Sequence, residues 1–237
     1  MRIFIDAGHG GHDPGAVGNG MRESDITLEV AGLLGERLQQ AGLLVRQSRT
    51  RDTALTINER WQAANAWGAD YFISIHVNSG GGTGAETLYF KRDSLEFAQT
   101  LQDVYASETG LRNRRIWQRD DVGVLRWTNC PSVLLELAFI DSPAHNPDVE
   151  TLRNRRREMA LAAGKGILQF LGIKTDGGVE GGEPERFNNL DELPGWARPT
   201  IEKLVEQGLL RGDEAGLDLS RDMVRMFVVN DRAGLYG

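Results

Sequence analysis

Ile3-Phe4-Ile5-Asp6-Ala7-Gly8-His9-Gly10-Gly11 is the stretch from which the rest of the chain can be read outward. Mostly apolar residues with β-branched members read as a buried strand, and a glycine cluster ends it at once. A histidine at the C-terminal mouth of a first strand is an unusual place for a packing residue. Two further segments repeat the arrangement. Tyr71-Phe72-Ile73-Ser74-Ile75-His76-Val77-Asn78 is an apolar run that delivers His76 near its end, with Gly80, Gly81 and Gly82 close behind. Ser132-Val133-Leu134-Leu135-Glu136-Leu137-Ala138-Phe139-Ile140 is a continuous apolar strand carrying one carboxylate. In an open α/β sheet the functional crevice lies at the carboxyl ends of the strands. His9, His76 and Glu136 are therefore expected to converge there.

Between these strands the periodicity changes. Ile26, Val30, Leu33, Leu34, Leu38 and Ala41 fall at three- and four-residue spacing and predict a helix from about Ser24 to Ala41, with Gly42 as its stop. Leu43-Leu44-Val45 begins a second strand. Thr56-Ile57-Asn58-Glu59 has the form of a capping box and opens a helix to about Trp67. A strand is expected around Thr87–Lys91, a helix from about Ser94 to Glu108, and a long final helix from about Pro147 to Leu171. This alternation predicts an α/β fold, a mostly parallel central sheet flanked by helices on both faces. Residues 173–186 carry four glycines and a proline among charges and read as a flexible linker. Residues 187–237 then read as a small C-terminal helical domain, with helices over Pro194–Gln207 and Ser220–Asp231.

Composition narrows the function. The chain has 237 residues, 40% hydrophobic and 26% charged, ordinary values for a globular protein with room for one sizeable domain and an appendage. No apolar run approaches the roughly 20 residues that span a bilayer, so membrane insertion is not expected. The net charge of −7 argues against nucleic acid as a partner. Cys130 is the only cysteine, which excludes a disulfide framework and a cysteine-built zinc site. The first residues enter a strand directly, without a basic segment and apolar stretch, so no secretory signal is expected.

A catalytic zinc needs three ligands and an open position, and accepts histidine nitrogen and carboxylate oxygen. His9 and His76 supply two. The carboxylates of the first loop are Asp6, Asp13, Glu23 and Asp25, of which Glu23 is preferred because it lies where the glycine-rich loop returns into the first helix. Glu136 is then left for proton transfer. A lone carboxylate in an apolar strand should have a raised pKa by desolvation, which suits a general base.

Asp6-Ala7-Gly8-His9-Gly10-Gly11, Glu23 ahead of the first helix, Ser74-Ile75-His76-Val77-Asn78 and Asn129-Cys130-Pro131-Ser132-Val133-Leu134-Leu135-Glu136 together resemble the zinc-dependent N-acetylmuramoyl-L-alanine amidases of the amidase-3 family. The resemblance covers residues 1–172, which makes them the expected catalytic domain. It implies one Zn2+ held by His9, Glu23 and His76, with Glu136 catalytic. It also implies peptidoglycan as substrate, cut at the amide joining the lactyl group of N-acetylmuramic acid to L-alanine. A departure is Ala138, where the family often has glycine before the phenylalanine. Phe187, Leu193-Pro194-Gly195-Trp196-Ala197, Ile201, Leu204, Gly208-Leu209-Leu210 and Gly212 resemble a single S-layer-homology-type repeat. That implies wall attachment or self-association, with docking on the catalytic domain as the rival.

The remaining candidates have plainer readings. His12 and His145 read as loop residues, and Cys130 as a small buried hydrophobe. Arg153, Arg155, Arg156 and Arg157 read as a solvated helix face. Arg112, Arg114 and Arg115 fall in the expected loop before the Glu136 strand, where a cation can meet a stem-peptide carboxylate. Arg115 and Asn78 are the candidate substrate contacts. Trp117 and Trp127 suit either sugar stacking or core packing. Without an export signal, the chain is expected to be made in the cytoplasm and to act on the wall after release, as a phage endolysin does. The alternatives are a zinc peptidase cutting within the stem and a non-catalytic wall-binding protein.

Overall fold

The structure, a computed structural model, describes residues 1–173, 186–193, 197–212, 216–220, 223, 224, 227, 228, 231 and 236. The chain divides into two compact units, Met1–Asp176 and Gly177–Gly237. In the first, β1 (Arg2–Ala7) leads into a small hairpin of β2 (Val17–Gly18) and β3 (Met21–Arg22). Then come α1 (Glu23–Gln40), β4 (Leu44–Gln47), α2 (Ile57–Trp67), β5 (Tyr71–Asn78), β6 (Ala85–Tyr89) and α3 (Leu95–Thr109). The unit closes with β7 (Asn113–Gln118), α4 (Gly123–Trp127), β8 (Ser132–Phe139), α5 (Pro147–Asn154) and α6 (Arg156–Phe170).

Six strands form one sheet in the order β4-β1-β5-β8-β6-β7. The first four run parallel; β6 is antiparallel to β8, and β7 runs parallel to β6. The alternation of side chains along a strand sorts the sheet's two faces. Ile3, Ile5, Ile73, Ile75, Val133 and Leu135 point to one face and are covered by α1, α3, α5 and α6. Phe4, Phe72, Leu88 and Leu134 point to the other and pack against Ala64 of α2 and Val124 and Leu125 of α4. The Phe4 and Phe72 rings stack, with centroids 5.9 Å apart. Continuing along that second face, the next side chains in phase are Asp6, Ser74, His76 and Glu136. The apolar residues that anchor α2 and α4 thus give way to polar ones at the carboxyl ends of the parallel strands.

Local chemistry sets the element ends. Thr56 and Glu59 make the reciprocal capping box expected for α2, and Gly68 ends that helix in the left-handed conformation. The long helix expected over 147–171 is instead two helices, broken at Arg155 (φ −124°, ψ 29°). The segment expected to be a loop around Arg112–Arg115 is largely the edge strand β7. In the second unit, β9 (Arg186–Phe187) pairs antiparallel with β10 (Leu219–Ser220), and α7 (Arg198–Glu206) supplies Ile201 and Leu204 to a core with Phe187, Leu193, Leu219, Val224 and Val228. Residues 174–185 of the expected linker 173–186 and much of the helix expected over 220–231 lie outside the described residues. Among the described residues no helix is long and apolar enough to cross a membrane.

Candidate active site

The loop after β1 is held by two buried arginines. Arg60 donates to Asp6 Oδ1 (2.8 Å), the Ala7 carbonyl (2.6 Å) and the His9 carbonyl (2.8 Å). Arg49 donates to the carbonyls of Ala7 (3.0 Å), Gly8 (2.8 Å) and Ser24 (2.8 Å). Three consecutive carbonyls at the strand's mouth therefore each receive a guanidinium hydrogen. This fixes a backbone in which His9 itself takes a positive φ of 59°, a rare conformation for a residue with a side chain. Two glycines are required by close approach. A Cβ on Gly8 would lie 2.5 Å from the His76 ring, and one on Gly15 would lie 2.6 Å from both Glu23 Oε2 and the His9 ring.

Within this cradle His9, Glu23 and His76 meet. Glu23 is the first residue of α1 and is buried. Its Oε1 lies 2.9 Å from His76 Nδ1 and 3.2 Å from His9 Nε2, and accepts from the Val77 amide at 2.9 Å. Its Oε2 accepts from the Ala16 amide at 2.8 Å. On the far side of the His9 ring, Nδ1 is 2.8 Å from Asp13 Oδ2, which leaves Nε2 facing Glu23. Asp13 is thus placed behind His9 and apart from the shared cluster. Asp6 is turned away as well, accepting from Arg60 and from Ser74 Oγ (2.7 Å).

One ligand atom from each of His9, Glu23 and His76 lies within 4.8 Å of the others, the grouping a metal ion could use. Bonds of about 2.1 Å in a tetrahedral zinc site put neighbouring ligand atoms roughly 3.4 Å apart. The 2.9 and 3.2 Å separations found here come within half an ångström of that. The donor set, two imidazole nitrogens and a carboxylate oxygen, is also one that zinc accepts.

Electrostatics within the cluster are strongly coupled. Burial alone would push the Glu23 carboxyl up, but the hydrogen bonds with His76 and His9 overcome it and hold the group below the usual carboxylate range. Burial would lower His9; Glu23 and then Asp13 outweigh it and raise the imidazole to about 9. His76 is raised too, its burial outweighed by Glu23 and Glu136. Glu136 lies opposite His76 in the register of β5 and β8. Burial pushes its carboxyl up to about 7, with the charge of His76 opposing in part. Its Oε2 is enclosed and has no hydrogen-bond partner among the described residues. Buried side-chain oxygens are nearly always hydrogen-bonded, so this one stands out from the rest of the interior.

Residues 3–169 match the Amidase_3 family, described as N-acetylmuramoyl-L-alanine amidase. The chain belongs to that family. It is 37% identical over 186 residues to the sporulation-specific N-acetylmuramoyl-L-alanine amidase of Bacillus subtilis, covering 73% of this chain and 69% of that protein. It is 34% identical over 191 residues to the endolysin of Bacillus phage SPP1, covering 74% of this chain and 68% of that protein. The crystal structure of an N-acetylmuramoyl-L-alanine amidase from Clostridium difficile 630 superposes with a TM-score of 0.68 at 34% identity, covering 73% of this chain and 98% of that one. The family match stops at residue 169, ahead of the second unit.

The amidase fold distributes the other candidates unevenly. Asn78 ends β5 and donates to Glu86 Oε1 at 2.7 Å. Glu86 stands directly opposite Glu136 across the β6–β8 pair, and its Oε2 accepts from Arg114 Nε at 2.8 Å. Arg115 is exposed, at φ 75° in an irregularity of the β6–β7 register. The arginine joined to the carboxylate opposite Glu136 is thus Arg114. Arg114 belongs to the basic cluster that the sequence sets against a stem-peptide carboxylate, whereas Glu86, Arg49 and Arg60 are not singled out by the sequence as parts of the site. A two-residue step back from Leu88 along β6 points to Glu86, whereas an isolated buried arginine carries no sequence signal of its own. His12 and His145 are exposed loop residues. Burial pushes the Cys130 thiol up to about 11, which removes it as a nucleophile. Trp117 and Trp127 are 51% and 55% exposed, which rules out core packing for both.

Proposed function

We propose that this chain is a zinc-dependent amidase that hydrolyses the bond between the lactyl group of N-acetylmuramic acid and the L-alanine of the stem peptide. The observation that carries the reading is the meeting of His9, Glu23 and His76 one strand away from a buried, unpartnered Glu136 oxygen, within a segment of the amidase family. In this reading His9, Glu23 and His76 hold the zinc, which when bound supplies Lewis acidity to polarise the carbonyl and acidify water. Asp13 holds His9 by Nδ1 so that Nε2 is presented, an outer contact of the kind metal-binding histidines use. Glu136 takes a proton from the attacking water as the carbon–oxygen bond forms. It returns that proton to the nitrogen of L-alanine as the carbon–nitrogen bond breaks. In the metal-free protein burial raises this carboxyl to about 7, the direction that suits a group asked both to take and to return a proton near neutral pH.

Peptidoglycan places the site of action at the bacterial wall. Similarity to the SPP1 endolysin supports a lytic role after release from the cell in which the chain is made. The compact unit Gly177–Gly237, with its own small core, supports reading residues 187–237 as a module for wall attachment or self-association. Digestion of purified peptidoglycan tests the reaction class. New amino termini should be L-alanine alone; any other freed residue would mean a peptidase, and new reducing sugar ends a glycosidase.

A further inference from the structure

His76, Glu136 and Glu86 form a row across three neighbouring strands, β5, β8 and β6, and the Glu86–Arg114 ion pair extends it to β7. At about 4.8 Å between strands, β7 stands roughly 10 Å from the strand of Glu136. The Arg114 side chain is fixed at two points. Its Nε donates to Glu86, itself anchored by Asn78, and its guanidinium lies over the Phe139 ring, 4.7 Å from the centroid. Its terminal nitrogens have no hydrogen-bond partner among the described residues, and the side chain remains 30% exposed. A guanidinium held by Nε and by one face, with both terminal nitrogens free, is arranged for bidentate capture of a carboxylate.

We propose that Arg114 is a specificity-determining contact that binds the free α-carboxylate of the second stem residue, the γ-linked D-glutamate that follows L-alanine. This rests on the amidase reading above, because the distance is counted from the bond that reading cuts. Along an extended stem, one residue of about 3.8 Å plus the flanking bonds puts that carboxylate about 7 Å from the scissile carbon. The arginine side chain covers the rest of the span from β7. Glu86 and Asn78 are positioning residues that aim it.

The test uses the full chain with zinc and two muramyl tripeptides that differ only in whether the α-carboxyl of the second residue is free or amidated. The wild type should cleave the free acid with a kcat/KM about tenfold to a hundredfold higher, the range of one charge-assisted contact. Arg114→Ala should abolish the preference, bringing kcat/KM on the acid down to that on the amidated substrate mostly through KM; Arg114→Lys should fall between. Equal wild-type rates on the two substrates overturn the proposal without reference to any variant. So does an Arg114→Ala variant that loses the same factor on both, since Arg114 is then only neutralising Glu86. Release of L-alanine amine from neither substrate by the wild type would instead count against the amidase reading.

Discussion

Replacing Glu136 by glutamine separates chemistry from stability. The substitution keeps the shape of the side chain and removes its ability to take and return a proton. General acid–base catalysis contributes about 10²–10⁴-fold, or roughly 3–5 kcal/mol of barrier, so kcat for amide hydrolysis should fall by that factor. Zinc stoichiometry should not change, because Glu136 lies outside the group of His9, Glu23 and His76. Folding should respond in the opposite sense. Raising the carboxyl from 4.5 to about 7 means that the folded metal-free protein carries an ionised group at a cost on the order of 3 kcal/mol. The cost is absent below pH 4.5, where both folded and unfolded chains are protonated; it grows between pH 4.5 and 7 and is full above. Metal-free Glu136→Gln should therefore melt several degrees above the wild type at pH 8 and level with it at pH 4. Calorimetry at the two pH values and turnover on muropeptides make the comparison. A variant that turns over at near wild-type rate, or that gains nothing in melting temperature at pH 8, refutes the assignment of a buried, proton-carrying Glu136.

Three other outcomes follow from the same geometry. His9, raised to about 9 by Glu23 and Asp13, is protonated in the metal-free protein at neutral pH and must lose that proton to bind metal. Zinc affinity by competition titration should thus rise at least about tenfold per pH unit from pH 6 to 8, and a flat profile would contradict a protonated His9. Gly8→Ala puts a methyl 2.5 Å from the His76 ring, an overpacking worth about 1–3 kcal/mol; a zinc dissociation constant raised tenfold or more is expected, and an unchanged one would show that the ring is free to shift. Deleting residues 177–237 should leave a folded protein that still binds one zinc, since the first compact unit ends at Asp176; loss of cooperative melting would show that the units depend on each other.

Much of the catalytic unit is legible in the sequence because its signals are local. The strands that carry His76 and Glu136 are apolar runs bounded by glycine, proline or a charge, and Tyr71–Asn78 is observed with the ends expected. The capping box of α2 is a four-residue pattern with one conformation. What stayed hidden depends on partners distant in sequence. β7 reads as a basic loop because Arg112–Arg115 lack alternation, and an irregularity at Arg115 interrupts its register. The antiparallel run of β6 is set by pairing with β8, some fifty residues later in the chain. Arg155 breaks the last helix with neither glycine nor proline to announce it. Arg49 and Arg60 look like surface charges until the carbonyls of Ala7, Gly8 and His9 are seen to need donors.

The central claim is that a zinc held by His9, Glu23 and His76 is required to cut the bond before L-alanine. The most direct measurement is release of N-terminal L-alanine from purified peptidoglycan by the native protein, by the chelated protein, and after one equivalent of zinc is returned. The account predicts release, loss and recovery in that order, and no recovery in His76→Ala. Release that persists after the metal is removed to below stoichiometric trace would contradict it.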